Sequence, residues 1–151
     1  MCSHDGMEFA LFTRNQTFVD MEIKSNQATK NRPEGDRIID APYVFIDIPG
    51  FVEQLKSEKS WEKNDRNGIT VFKSSGMTMV ITALKSGAVL DHKGLNEFFT
   101  LQVIQGEIQT ETDGKTIQSI QGQVAVFHPN MAHTILALSD SVLMMTTYVC
   151  G

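Results

Sequence analysis

The most constraining feature of this chain is a succession of short segments, from residue 68 to residue 151, in which apolar and polar residues alternate between turn residues. Alternation with a period of two is typical of strands that bury one face. Ser74-Ser75-Gly76 predicts a hairpin, and Asp113-Gly114 is favoured in type I′ turns because both positions tolerate positive φ. The predicted strands are 69–73, 77–84, 99–105, 107–112, 115–120, 123–127, 133–138 and 142–149. Without strand-helix-strand alternation, they predict an all-β fold, a jelly-roll double sheet closed into a barrel.

Residues 1–40 have a different character, because they are rich in Asn, Gln, Lys and Glu and end in a turn-rich linker at 31–36. One segment, 18–24, alternates and places Val19, Met21 and Ile23 on one face, which predicts a strand. A lone strand does not persist in water. We therefore expect an N-terminal arm that is partly disordered or pairs with the barrel or with a neighbouring subunit.

Residues 41–67 form a connecting part. The apolar run at 43–46 predicts a strand, and Asp47 with Pro49 predicts the start of a short helix. Phe51, Val52 and Leu55 share one face of that helix, so we expect this part to pack on the barrel that residues 68–151 form.

The composition argues against several partners. A net charge of −5 and a pI of about 5.3, with no cluster of Lys or Arg, disfavour nucleic acid. No stretch approaches the roughly 18–20 apolar residues that span a bilayer, and the first 20 residues lack a continuous apolar segment. We expect a cytoplasmic protein without a membrane partner, in which Cys2 and Cys150, with no metal-type spacing, are reduced and incidental.

Histidines on this β scaffold are the main source of chemistry. His133 opens a predicted strand whose same-face partners Ile135 and Ala137 look buried, so we expect its imidazole to point into the barrel. His92 follows Asp91 in a predicted loop, where it is either a pocket residue or a solvated turn residue. His128 either lines the mouth or caps the turn that follows it.

These residues and their spacing resemble the two motifs of the cupin superfamily, usually written G-x5-H-x-H-x(3,4)-E-x6-G and G-x5-P-x-G-x2-H-x3-N. Fifteen residues separate the last glycine of the first motif from the first glycine of the second, which is an interval the family uses. The resemblance spans roughly residues 68–149 and implies a small RmlC-like double-stranded β-helix barrel that binds a small molecule, with a homodimer expected. The residues that carry it are Gly87, His92, Gly106, Gly122 and His133.

The departures from the motifs limit what the resemblance implies. Phe99 takes the place of the family's glutamate and Gly94 that of its second histidine, so two of four usual metal ligands are absent. In the second motif His128 stands at the proline position, and Asn130 stands at the glycine position, where it can still adopt the left-handed turn. Ala137 replaces the final asparagine.

A metal site would need a substitute ligand. Glu97 shares strand parity with Phe99, so His92, Glu97 and His133 would form a two-histidine, one-carboxylate set suited to a divalent transition metal such as Fe, Mn, Ni or Zn. Asp91 is a weaker candidate because it faces away from His92. The alternative is that no cofactor is bound.

Three functions stay open at this point. The first is a small-molecule-binding cupin with a reduced metal-ligand set. The second is a metal-dependent oxygenase or isomerase of a small organic substrate, and the third is a structural dimerisation module. The predicted ligand pocket comprises His92, Phe99, Leu101, His128, His133 and Ile135.

Overall fold

The computed structural model describes residues 22–149, which form eleven strands and two short helices. Cys2, Cys150 and most of the predicted strand at 18–24 lie outside the described residues. The strands are β1 Lys24–Asn26, β2 Arg37–Asp40, β3 Arg66–Lys73, β4 Met77–Leu84, β5 Val89–His92, β6 Glu97–Gln105, β7 Glu107–Thr112, β8 Lys115–Ile120, β9 Val124–Phe127, β10 His133–Ala137 and β11 Ser141–Val149. The helices are α1 Ile48–Ser57 and α2 Lys59–Lys63.

Two antiparallel sheets form the barrel, as the alternating pattern predicts. One has the strand order β3-β4-β11-β6-β9 and the other the order β5-β10-β7-β8. The buried apolar cluster of the barrel draws its side chains from both sheets, namely Leu84, Ala88, Phe99, Leu101, Val103, Ile108, Phe127, Ile135, Ala137 and Leu143. The all-β, two-sheet prediction is confirmed, including the hairpins at 74–76 and 113–114.

Helix α1 covers part of the outer face of the five-stranded sheet. Its N-cap, Asp47, accepts a hydrogen bond from the backbone N–H of Gly50 at 3.2 Å, and a proline stands in its first turn. Val52 and Leu55 pack on Ile69, Ile81 and other apolar residues of β3, β4 and β11 in a second buried cluster. Neither helix of the described part of the chain is long and apolar enough to cross a membrane.

The prediction of a strand at 43–46 is wrong. These residues have no regular structure, and Tyr43 and Phe45 are 76% and 91% exposed. The strand lies earlier, at Arg37–Asp40, where it pairs with β1. A strand needs a neighbour for its backbone hydrogen bonds, and the side-chain pattern of 43–46 does not supply one.

An ion pair fastens the turn at 29–35 to the body. The Arg32 guanidinium donates through Nε to the Glu58 carboxylate at 2.9 Å and through Nη2 to the carbonyl oxygen of Gly68 at 2.8 Å. Asn67 Nδ2 donates to the same carboxylate at 2.9 Å. Burial alone would raise the pKa of Glu58, but hydrogen bonds from Arg32, Asn67 and Gln54 outweigh it and lower that pKa.

We expect Arg32→Ala to lower the free energy of unfolding by about 2 kcal/mol at pH 7, because it leaves a nearly buried carboxylate without its charged donor. The side chains of Arg32 and Glu58 are 21% and 7% exposed. A lowered pKa in the folded state means that this stabilisation is complete above about pH 4.5 and is lost as the pH falls through the lowered pKa. Urea unfolding at pH 7 and at pH 3 measures both effects.

The matched control is Arg66→Ala. Arg66 pairs with Asp65 at 2.8 Å, but these side chains are 41% and 53% exposed, so we expect a loss below about 1 kcal/mol. Equal losses of unfolding free energy in the two variants would show that the Arg32–Glu58 pair stabilises the fold no more than an exposed pair does.

Candidate functional site

A small cavity of about 240 Å3 opens at one end of the barrel, between the two sheets. Three of its residues, His92, Phe99 and Ile135, belong to the predicted pocket. The others are Thr78, Val80, Leu90, Asp91, Met145 and Thr147. Most of this lining is apolar, as is usual for small-molecule sites. Strand alternation accounts for Val80, Leu90 and Met145, but the sequence does not show that these strands meet at one cavity.

His92 lies at the end of a strand, and its predicted place in a loop is wrong. Strand β5 has only four residues, too few to stand out from its turn-rich surroundings. It pairs antiparallel with β10 so that His92 and His133 are directly opposite. Their rings stack with centroids 4.9 Å apart and planes inclined by 20°. The structure thus brings together the two histidines that the sequence singled out.

His133 points inward, and its residue surface is only 4% exposed. Phe127 stacks on the ring at 4.2 Å and 11°. Burial lowers the pKa of His133 below its usual value of 6.5; the backbone hydrogen bond to Met131 partly offsets this, and the neighbouring His92 adds to the lowering. The imidazole is therefore neutral at pH 7.

The two rings carry their protons on different atoms. His133 Nδ1 lies 3.3 Å from the Met131 carbonyl oxygen, which only accepts, so Nδ1 holds the proton and Nε2 keeps a free lone pair. His92 Nδ1 accepts a hydrogen bond from the Gly94 N–H at 3.3 Å, so the neutral ring carries its proton on Nε2. The pair thus offers one acceptor and one donor.

Phe99 and Gly94 occupy the two positions where the motif has ligands. The Phe99 side chain is buried. Its ring centroid lies 4.4 Å from that of His92 and 4.7 Å from that of His133. Gly94 has φ of +68°, and a Cβ there would lie 2.6 Å from the backbone nitrogen of Ala132 and 2.7 Å from the carbonyl carbon of Met131. No side chain fits at Gly94 without movement of that backbone.

Solved structures share this architecture. KdgF from Halomonas sp. has 21% identity and a TM-score of 0.53, over 56% of this chain and 78% of that one. An RmlC-like cupin from Desulfovibrio desulfuricans has 23% identity and a TM-score of 0.51, over 55% and 81%. The Cnp3 cupin domain of Schizosaccharomyces pombe has 12% identity and a TM-score of 0.55, over 85% and 88%.

This chain has the cupin fold. No protein-family model and no curated protein matches its sequence. At these identities the likeness shows the fold alone, and the chemistry of this chain depends on its own residues.

The described residues do not fit a resident catalytic metal. Glu97 is the first residue of β6, so it shares strand parity with Phe99 as the sequence predicts. It pairs with Val149 at the far end of β11. Yet within residues 22–149 no three His, Cys, Asp or Glu side chains lie close enough to hold one ion. Two imidazoles without a third protein ligand fall short of the usual catalytic set.

Three residues of the predicted pocket do not line this cavity: Leu101, His128 and His133, of which His133 stacks on the wall residue His92. Leu101 is buried in the barrel core rather than on the cavity wall. His128 is exposed, and its ring packs against Phe98 at 5.0 Å. Phe98 alternates with Phe99 and lies on the other face of β6, which explains why His128 does not reach the cavity.

Sequence reasoning missed one polar residue. Thr110 on β7 is buried, and its Oγ1 has no hydrogen-bond partner among the described residues. His133 Nε2 is a second such atom. Buried polar atoms are normally paired, so each of these two lacks an expected partner. Alternation along 107–112 places Ile108 and Thr110 inward, which is the pattern that could have identified Thr110.

Proposed function

We propose that this cupin binds a small, mainly apolar organic molecule in the barrel cavity without a resident metal. The apolar cavity, whose wall includes His92 stacked on the buried His133, carries the proposal. Its volume of about 240 Å3 equals that of roughly eight water molecules, which limits the ligand to a compact molecule.

Charge around the cavity supports an uncharged ligand. Among the described residues, Asp91 is the only Asp or Glu that lines the cavity, and no Lys or Arg lines it. An anion would lose its hydration and meet no cation there, which is costly in an apolar site.

The alternatives predicted from the sequence have weaker support. A metal-dependent oxygenase or isomerase needs Glu97, or another group, to join His92 and His133. A purely structural module does not need a cavity. The homodimer stays a proposal, supported by exposed apolar side chains on the outer face of β9, namely Val124 and Val126.

Filling the cavity tests the proposal. We expect toluene to bind saturably to the wild type and Val80→Phe to weaken it by at least tenfold, because the larger ring occupies the ligand's space. Shifts of backbone amide resonances during a toluene titration measure the affinity. The control is Val126→Phe, since Val126 is 65% exposed on the outer face, and this variant should bind like the wild type.

Two outcomes would contradict the proposal. One is that the wild type shows no saturable shifts. The other is that toluene binds equally well to Val80→Phe, which would place its site outside the cavity.

A further inference from the structure

We propose a second site, separate from the barrel cavity, that binds a phosphate group in the cleft between the β1–β2 connection and helix α2. The cleft has a volume of about 410 Å3. It shares no lining residue with the barrel cavity, so binding at one site does not require binding at the other. The residues that line the cleft are Asn26, Gln27, Thr29, Asn31, Arg32, Arg37 and Ser60.

Every side chain of this lining can donate a hydrogen bond. The lining has two guanidinium groups, three carboxamides and two hydroxyls, and among residues 22–149 no carboxylate contributes to it. An ionised phosphate group presents several acceptor oxygens, and a guanidinium group matches their geometry with two parallel N–H bonds. The lining is therefore complementary to phosphate.

Both guanidinium groups are held in place by contacts within the protein. Arg37 donates through Nε to the Thr70 carbonyl oxygen at 2.7 Å and through Nη1 to the Gly35 carbonyl oxygen at 2.8 Å. Arg32 is held by its ion pair with Glu58. Groups that are fixed before a ligand arrives lose little conformational freedom on binding, so the cleft is preorganised.

The two arginines leave positive charge uncompensated in the cleft. Glu58 pairs with Arg32, but Arg37 forms no ion pair within the described part of the chain. Burial lowers the pKa of Arg37, the neighbouring charge of Arg32 lowers it further, and Glu58 offsets this only in part. Arg37 stays protonated all the same, and an anion in the cleft would supply its counter-charge.

An adjoining cleft extends the positive charge. It has a volume of about 630 Å3 and shares Asn31 and Ser60 with the first cleft. Its carboxylates are Glu34 and Glu58, and Glu58 is already paired with Arg32. Its ammonium groups are those of Lys30, Lys59 and Lys63. In a protein with a net charge of −5, this local excess of positive charge attracts anions to one place.

Inorganic phosphate and glycerol 3-phosphate test the site, with glycerol as the uncharged control. At about pH 8, where phosphate is a dianion, we expect at least one of the two phosphates to bind saturably with a Kd below about 10 mM and glycerol not to bind. Shifts of the backbone amide resonances of residues 26–37 measure the affinity and locate the site. Tighter binding of glycerol 3-phosphate would assign a phosphate ester as the ligand, and equal or tighter binding of inorganic phosphate would assign free phosphate.

Asn31→Asp is the main variant, because it adds a carboxylate to both clefts with almost no change of shape at an exposed position. We expect it to weaken phosphate binding at least about tenfold by repulsion. The matched control is Asn96→Asp, which adds the same charge at an exposed position that lines neither cleft and should bind like the wild type. Arg37→Lys keeps the charge but loses the planar fork, so it should weaken binding at least about fivefold.

Two results would overturn the phosphate site. One is the absence of saturable shifts with both phosphates. The other is equal phosphate affinity in Asn31→Asp and Asn96→Asp, which would place the bound phosphate outside the clefts. Thermal unfolding of each variant without ligand verifies that it is folded. Because toluene binding reports on the barrel cavity alone, failure of the phosphate site and failure of the proposed function are separate results.

Discussion

Replacing Gly106 by alanine is expected to lower the free energy of unfolding by roughly 3–5 kcal/mol. Gly106 joins β6 to β7 with φ of +85°, a backbone conformation that alanine adopts only at a cost. Its added Cβ would also lie 2.5 Å from the Asp140 carbonyl oxygen and 2.8 Å from Ser141 Cα. The turn would have to move away from the start of β11.

That movement would break hydrogen bonds as well. Ser141 is fully buried, and its hydroxyl accepts from the Glu107 N–H at 3.2 Å and donates to the Ser139 carbonyl oxygen at 2.8 Å. These bonds tie the start of β7 to the start of β11, so displacement of Gly106 loosens both strands.

Gly122→Ala is the matched control. Gly122 has nearly the same φ, +88°, but a Cβ there meets nothing within 4 Å. We expect it to cost only about 1–2 kcal/mol, the backbone strain alone. Urea unfolding of the two variants measures the difference. Equal losses would mean that the contact with Ser141 contributes nothing.

A second large effect is expected from Phe99→Glu, which should make the stability of the protein depend on divalent metal. The substitution removes a buried ring and places a carboxylate against two imidazoles, so without metal we expect a loss of about 3–5 kcal/mol. It also completes a set of two histidines and one carboxylate, which transition metals prefer.

Zn2+ or Mn2+ should then restore stability. At a metal concentration of 100 times Kd the gain is about 2.7 kcal/mol. The melting temperature of Phe99→Glu should rise with added metal and fall with a chelator, and that of the wild type should respond far less. Phe99→Gln, whose new side chain has the shape of glutamate without its charge, should be destabilised but insensitive to metal.

Elemental analysis gives the complementary measurement. We expect wild-type protein to hold far less than one metal ion per chain and to lose that metal on chelation. The double variant Phe99→Glu, His133→Ala should lose the metal uptake that Phe99→Glu alone gains. Stoichiometric metal in the wild type that disappears in His133→Ala would contradict our description of the site, because a third ligand would then exist.

The barrel was predictable because its signal is local. A strand with one buried face alternates whatever its partner is, so eight of the nine strands between residues 66 and 149 could be identified one at a time, whereas β5, with four residues in turn-rich surroundings, was missed. Residues 43–46 carry apolar side chains too, but whether they form a strand depends on a neighbouring backbone that the pattern does not contain.

The candidate site was predictable only in part, for the same reason. The alternation of His133 with Ile135 indicated its inward direction. The stacking of His92 depends on the register of β5 against β10, which pairs segments far apart in the chain. The protonation of each ring depends on a backbone group, the Met131 carbonyl oxygen or the Gly94 N–H, and no residue identity reveals those contacts.

The close approach of Gly94 to the 130–132 backbone bears on how such a protein can change over generations. Replacing Phe99 by glutamate is a single substitution, and the new side chain enters space that a side chain already fills. Acquiring a histidine at Gly94 is different, because the turn that precedes His133 must first be remodelled to admit any Cβ. We therefore expect the acquisition of all four ligands to be order-dependent: changes at 130–132 have to come before position 94, whereas position 99 can change without them.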